Sequence, residues 1–167
     1  MLLGASPLRL SFAGGGTDLK EYYENFEGSV VSTAINHFTY VIVTPRQDNS
    51  FQVFSSDFQV HFKPTKYNEL KSEHGTELAV TVVKSLDFQQ GANLMINSEV
   101  APGSGLGASS SLAVNLVKTI STLKKEKMNN EEIAENAYDI GRNKLNWFIG
   151  KQDEYISAFG GFNFIKF

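Results

Sequence analysis

The run Pro102-Gly103-Ser104-Gly105-Leu106-Gly107-Ala108-Ser109-Ser110-Ser111 constrains the fold more than any other stretch of this chain. It follows residues 92–100, whose apolar and β-branched types suit a strand. It precedes a stretch in which Leu112, Leu116, Ile120 and Leu123 recur at helical spacing. Glycines let the backbone approach an anion closely, successive amides can point inward, and the helix start adds unpaired N–H groups and a partial positive charge. Phosphate is the expected guest. The hydroxyls of Ser109 and Ser110 could bond it directly or stand beside a Mg²⁺ that bridges phosphate oxygens. A flexible turn closed by an ordinary serine cap is the plainer alternative, but the strand, turn and helix in succession favour the anion site. The lysine of a P-loop and the spacing of a dinucleotide fingerprint are both missing.

The rest of the chain supplies a mixed set of elements. Strands are expected over residues 2–13, 29–34, 38–45, 51–56, 59–63, 92–100 and 162–167. Helices are expected from Glu77, where Leu78, Val82, Val83 and Leu86 share a stripe, over residues 109–124, and after Asn129, which can cap with Glu132 three residues on. The pattern predicts an α+β or α/β layer structure over residues 1–167 as one domain. With 41% hydrophobic and 20% charged residues the chain is of ordinary globular type.

Fifteen Lys and Arg against eighteen Asp and Glu leave no basic stripe, so no nucleic-acid partner is expected. The one basic cluster, Lys124, Lys125 and Lys127, reads as a solvated helix end. No apolar run reaches the ~18 residues of a membrane span, and no signal peptide opens the chain; the cytoplasm is the expected compartment. The chain has no cysteine, and His37, His61 and His74 lack metal-ligand spacing. Trp147 and Phe148 are expected to pack.

Two further segments carry chemistry. Near the start, Ser6-Pro7-Leu8-Arg9-Leu10-Ser11-Phe12-Ala13-Gly14-Gly15-Gly16-Thr17-Asp18 runs a strand into adjacent glycines and an acid. The acid could accept hydrogen bonds from ligand hydroxyls or merely stabilise the turn. Near the end stands Gly150-Lys151-Gln152-Asp153-Glu154-Tyr155-Ile156-Ser157-Ala158-Phe159-Gly160-Gly161, in which Asp153 could serve as a general base or cap a helix.

In this order the three segments resemble the motifs of GHMP kinases, the superfamily of galactokinase, homoserine, mevalonate and phosphomevalonate kinases. The first is similar to P-x-x-x-G-L-G-S-S-A, with Ala108 in place of the first serine, Ser109 on the second and Ser110 on the alanine. The resemblance therefore points Ser109 towards Mg²⁺ and residues Pro102 to Ser110 towards ATP. The segment around Arg9 looks like the substrate motif of heptose-phosphate kinases and fucokinases. That implies Arg9 near the reacting oxygen, and Gly14, Gly15, Gly16, Thr17 and Asp18, with Gln152, about the sugar. The third segment resembles G-x-Q-D-x-x-x-x-x-F-G-G of sugar 1-kinases, with Asp153 facing the acceptor hydroxyl.

What the resemblance implies is ATP-dependent phosphorylation of a sugar's anomeric hydroxyl, with D-glycero-D-manno-heptose 7-phosphate as the leading acceptor and fucose or another small molecule behind it. It also implies a ribosomal protein S5 domain 2-like fold, a mixed or antiparallel sheet with helices on one side. Two departures are visible. Where the family keeps a Mg²⁺-binding Glu the chain has Gly141, leaving Asp139 as the nearest substitute on that helix. And a complete family member continues for about as long again, so a separate C-terminal kinase half is an expected partner, and a non-catalytic binding fragment is the competing reading.

Overall fold

The computed structural model describes residues 1–56, 60–61, 63–72 and 75–167. In chain order the elements are β1 (Leu2–Ala13), α1 (Lys20–Tyr23), β2 (Ser29–Pro45), β3 (Ser50–Ser55), β4 (Val60–His61) and β5 (Thr65–Lys66). There follow α2 (Glu77–Ser85), β6 (Ala92–Ser98), α3 (Ala108–Lys124), α4 (Asn130–Asp139), a π turn (Ile140–Lys144), α5 (Gln152–Phe159) and β7 (Phe162–Lys166). Of the strand expected over residues 59–63, Val60–His61 form β4, while residues 59 and 62 lie outside the described residues, as do His74 and the side chain of His61.

One seven-stranded sheet organises the molecule, in the order β1-β2-β6-β3-β4, with β5 on β3 and β7 on β2. All pairings are antiparallel except β3 with β6, so the sheet is mixed. The strands expected at 29–34 and 38–45 are one continuous β2, because the strand changes partners along its length. Its first part pairs with β7, from Ser29 opposite Lys166 to Thr33 opposite Phe162. Its second part pairs with β6, from Thr39 opposite Ser98 to Pro45 opposite Ala92. β1 runs along both, with register shifts at Pro7/Arg9 and Ser11/Ala13. Such bulges re-aim side chains, and the first falls beside Arg9.

The core lies between the sheet and the helices. Val41 and Val43 of β2, Leu94 of β6, and Leu116 and Ile120 of α3 are fully buried. Each such side chain contributes roughly 1.5–3 kcal/mol of transfer free energy, so the stripe of α3 anchors the helix whose start forms the candidate site. The capping box expected at α4 is present: Glu132 N–H donates to Asn129 Oδ1 at 2.9 Å, and Asn129 N–H donates to Glu132 Oε2 at 2.7 Å. α4 ends at Asp139, and Gly141 falls in the π turn that follows. Phe148, expected to pack, is exposed and lies beneath the Arg142 guanidinium, 5.2 Å from its ring centre.

Candidate active site

The glycine and serine run forms an open turn at the mouth of α3. Gly103, Gly105 and Gly107 all have positive φ, of 80, 74 and 75°, a region that L side chains seldom adopt. α3 takes Gly107 as its N-cap, which offers no side-chain acceptor. The first-turn amides of α3, which have no intrahelical partner, are therefore not capped from within the loop. Ser109 is exposed at this mouth, whereas Ser110 and Ser111 turn into the core. The Ser111 hydroxyl donates to the Ser6 carbonyl at 3.0 Å, with Thr39 Oγ1 a further 2.9 Å partner, which ties α3 to β1 and β2. A cavity of about 440 Å³ opens in front of the turn. Its lining includes Ser109, Asn97, Leu78 and Trp147 as well as Arg9 and Asp153.

Arg9 joins the three segments. Its Nε donates to Asp153 Oδ1 at 2.6 Å and its Nη2 to Asp153 Oδ2 at 2.7 Å, a bidentate pair. Its Nη1 donates to the Gly105 carbonyl at 2.6 Å, and its backbone N–H to the Leu106 carbonyl at 3.0 Å. The cation thus clamps the turn against the acid. Gly107 permits the approach, since a β-carbon there would stand 3.0 Å from Asp153 Oδ2 and 3.2 Å from Arg9 Cγ. Asp153 Oδ2, which accepts only from Arg9 Nη2, keeps a second lone-pair direction, so a ligand hydroxyl can bond the carboxylate without breaking the fork. Gln152 supports it from the side, accepting from Ser11 Oγ at 2.6 Å and donating to Asp153 Oδ1 at 3.3 Å.

The first glycine run is used differently. Asp18 is buried and accepts from Gly16 N–H at 2.9 Å and Gln152 N–H at 3.0 Å, so it caps α5 from across the chain instead of facing the cavity. The Thr17 hydroxyl donates to the Gly14 carbonyl at 2.7 Å, closing the turn on itself. Gly14, Gly15, Gly16 and Thr17 are absent from the cavity lining, and Asp18 with them. The segment holds Arg9 and α5 in place.

Glu154 carries no expectation from sequence, yet it lies directly behind the site. Only 1% exposed, it has an Oε2 without a hydrogen-bond partner among the described residues. Burial pushes its carboxyl up to about 8, the Ser110 hydroxyl draws it back down, and the Asp153 and Asp18 carboxylates push it further up. At neutral pH it is mostly uncharged. An acid directly after Asp153 is visible in sequence; that it points inward is set by the packing of α5.

Among the described residues no group of three or more His, Cys, Asp or Glu could hold a metal ion. The place of the expected Glu is filled, for a β-carbon at Gly141 would come within 2.7 Å of Ile149 Cδ1 and 3.3 Å of Trp147 Cε3. Asp139 does not replace it: it accepts from Asn143 at 2.8 Å, lies 3.6 Å from Lys144 Nζ, and is not on the cavity. The donors present fit a Mg²⁺ carried by nucleotide phosphates, with the Ser109 hydroxyl at hand, since this ion keeps much of its water and favours phosphate oxygens.

The arrangement sets an uncapped helix mouth beside an Arg–carboxylate fork on a mixed sheet. Residues 73–161 match the family described as GHMP kinases N terminal domain. The chain belongs to that family. It is 34% identical over 173 residues to the D-glycero-alpha-D-manno-heptose 7-phosphate kinase of Campylobacter jejuni, covering 97% of this chain and 49% of that protein. It is 33% identical over 162 residues to a galactokinase of Haemophilus influenzae, covering 93% of this chain and 41% of that protein. A crystal structure of a D-glycero-D-manno-heptose 1-phosphate kinase from Bacteroides thetaiotaomicron superposes with a TM-score of 0.95 at 27% identity, over 100% of this chain and 56% of that one. The chain thus spans about half the length of the relatives it matches.

Proposed function

We propose that this chain is the nucleotide- and acceptor-binding half of an ATP-dependent sugar kinase, acting on an anomeric hydroxyl, with D-glycero-D-manno-heptose 7-phosphate as acceptor. The observation that carries the reading is the Arg9–Asp153 fork held against the turn before α3. In the reaction the acceptor oxygen forms a bond to the terminal phosphorus of ATP, the bond to the ADP oxygen breaks, and the hydroxyl proton passes to Asp153. The amides of residues 103–110 hold the nucleotide phosphates, Arg9 offsets negative charge where the groups meet, and Gln152 steadies the acid. Mg²⁺, bound with the nucleotide, would neutralise phosphate charge, with Ser109 its protein contact. Gly14, Gly15, Gly16, Thr17 and Asp18 act on the sugar indirectly, by fixing Gln152 and the start of α5. Such transfers depend on positioning and electrostatics more than on covalent chemistry. The named heptose rests on the Campylobacter and Bacteroides relatives, against the galactokinase likeness. No described helix is long and apolar enough to cross a membrane.

A binding module without catalysis is the second reading, favoured by the filled position at Gly141. Calorimetric titration with ATP and Mg²⁺, paired with mass detection of phosphorylated heptose 7-phosphate, galactose or fucose, decides between them. Nucleotide binding with no sugar phosphate selects the module. If product forms, Asp153→Asn should lower turnover by about 10² to 10⁴ while nucleotide affinity is kept. Retention of most turnover would remove Asp153 from the role of base.

A further inference from the structure

The helices cover one face of the sheet and leave part of the other bare. There, Phe12 on β1 and Phe162 and Phe164 on β7 are 58, 69 and 61% exposed, with the rings of Phe12 and Phe162 5.9 Å apart. Leu10 continues this patch, since it and Phe162 both stand opposite Thr33 of β2. Further along, the exposed Leu3 and Met95 flank Ile42 in register. A sheet face that meets water ordinarily alternates to polar residues. Contiguous large apolar side chains of this kind mark a contact surface.

We propose that this face seats the remaining half of the kinase, the polypeptide that its relatives carry beyond the matched half. This chain covers 49% of the Campylobacter protein and 56% of the Bacteroides one, so about half of each lies outside the matched portion. A body of similar length therefore accompanies this half in the family, and the bare sheet face offers it a contiguous apolar area. The position is also suited to the site: Arg9 and Leu10 are neighbours on β1, so a partner on the patch braces the strand that carries the fork. The proposal rests on family membership and on the proposed half-kinase role, but its test reads association and not turnover, so the two can fail separately.

The probe is a chimera joining residues 1–167 to the C-terminal half of the Campylobacter kinase, compared with the 167-residue chain alone by hydroxyl-radical footprinting. Oxidation of Phe12, Phe162 and Phe164 should fall about 5-fold or more in the chimera, as burial in an interface core requires. The triple variant F12S/F162S/F164S of the chimera, its fold checked by circular dichroism, should become sensitive to proteolysis at the junction. Rings oxidised equally in both proteins overturn the proposal. Two measurements on the chain alone need no chimera. Sedimentation that shows a dimer with protected rings assigns the face to a second copy and overturns the proposal, as does ring-dependent binding to phosphatidylcholine–phosphatidylserine vesicles. A monomer with fully reactive rings supports it.

Discussion

Two glycine-rich turns stand on either side of the Arg9–Asp153 fork, and they use glycine for opposite reasons. Around Gly103 and Gly105 a β-carbon would meet nothing within 4 Å, so these residues keep space open. At Gly14 a β-carbon would lie 1.9 Å from the Ser29 carbonyl oxygen, and at Gly150 only 2.0 Å from Asp18 Oδ2. There glycine lets two pieces of chain touch. Composition cannot separate the two uses, because both turns share positive φ, at Gly14 and Gly16 as at Gly103 and Gly105. What differs is the occupant of the adjacent space: protein in one case, solvent in the other. The contacts at Gly14 and Gly150 stabilise the fold, and the open space at Gly103 and Gly105 is what the proposed phosphate site requires.

The largest effect should come from breaking the packed turn. Gly14→Ala and Gly150→Ala force overlap with a backbone carbonyl and with a buried carboxylate that holds two amides, and each should lose about 2–4 kcal/mol. Urea unfolding measures this directly. A midpoint unchanged from the parent would show that the contacts at Gly14 and Gly150 are not tight in solution.

Glu154 links the two turns, lying beneath Ser110 of one and near Asp18 of the other, and it should give the next largest effect. Its pKa is about 8 in the folded chain against an ordinary carboxyl value of 4.5. The folded state therefore holds its proton more tightly than the unfolded state does. Stability from this group is full below the unfolded value, falls as pH rises through the interval up to about 8, and is level above it. The slope approaches roughly 1.4 kcal/mol per pH unit at most. Glu154→Gln should remove it, so that the variant gains on the parent between pH 5 and 8. Parallel stability curves for the two proteins across that range would refute the buried, uncharged state.

The open turn should respond in the reverse sense. Gly105→Ala places a methyl group in unfilled space, so its stability cost is limited to the positive φ, about 1–2 kcal/mol. Its carbonyl, however, fixes Arg9 Nη1, and its neighbours face the cavity. Affinity for ATP and Mg²⁺ should drop about 10-fold, equivalent to about 1.4 kcal/mol of binding. A variant with parental affinity would detach the turn from phosphate binding.

Much of this was legible in the residues. The stripe Leu112, Leu116, Ile120 and the capping pair Asn129 and Glu132 are local patterns, and local patterns define α3 and α4. That Arg9 and Asp153, 144 positions apart, meet at one place was implied only by the family resemblance, and their direct pairing was not legible. Three further features were not legible. β2 is continuous because its partner changes from β7 to β6, which is a property of the sheet and not of the strand. Asp18 turns inward because Gly150 allows the main chain before α5 to press against it. Glu154 is buried because α5 packs that side of its first turn against α3, an outcome that an acidic residue by itself argues against.

The smallest effect, and the sharpest test of the open turn, is Ser109→Ala. Ser109 is exposed and makes none of the contacts that anchor α3, whereas its neighbours Ser110 and Ser111 are buried. Removing its hydroxyl should leave unfolding within about 0.5 kcal/mol of the parent, as surface substitutions usually do. Nucleotide affinity should weaken about 3- to 10-fold with Mg²⁺ present, the size of one ordinary hydrogen bond. Without the metal the two proteins should bind ATP nearly alike, because the amides of the turn are untouched. The ratio of the two losses is the informative quantity. A loss that is equal with and without Mg²⁺ would make Ser109 a direct phosphate ligand. No loss in either condition would leave the cradle to the backbone alone, and the glycines at 103 and 105 as its whole chemical content.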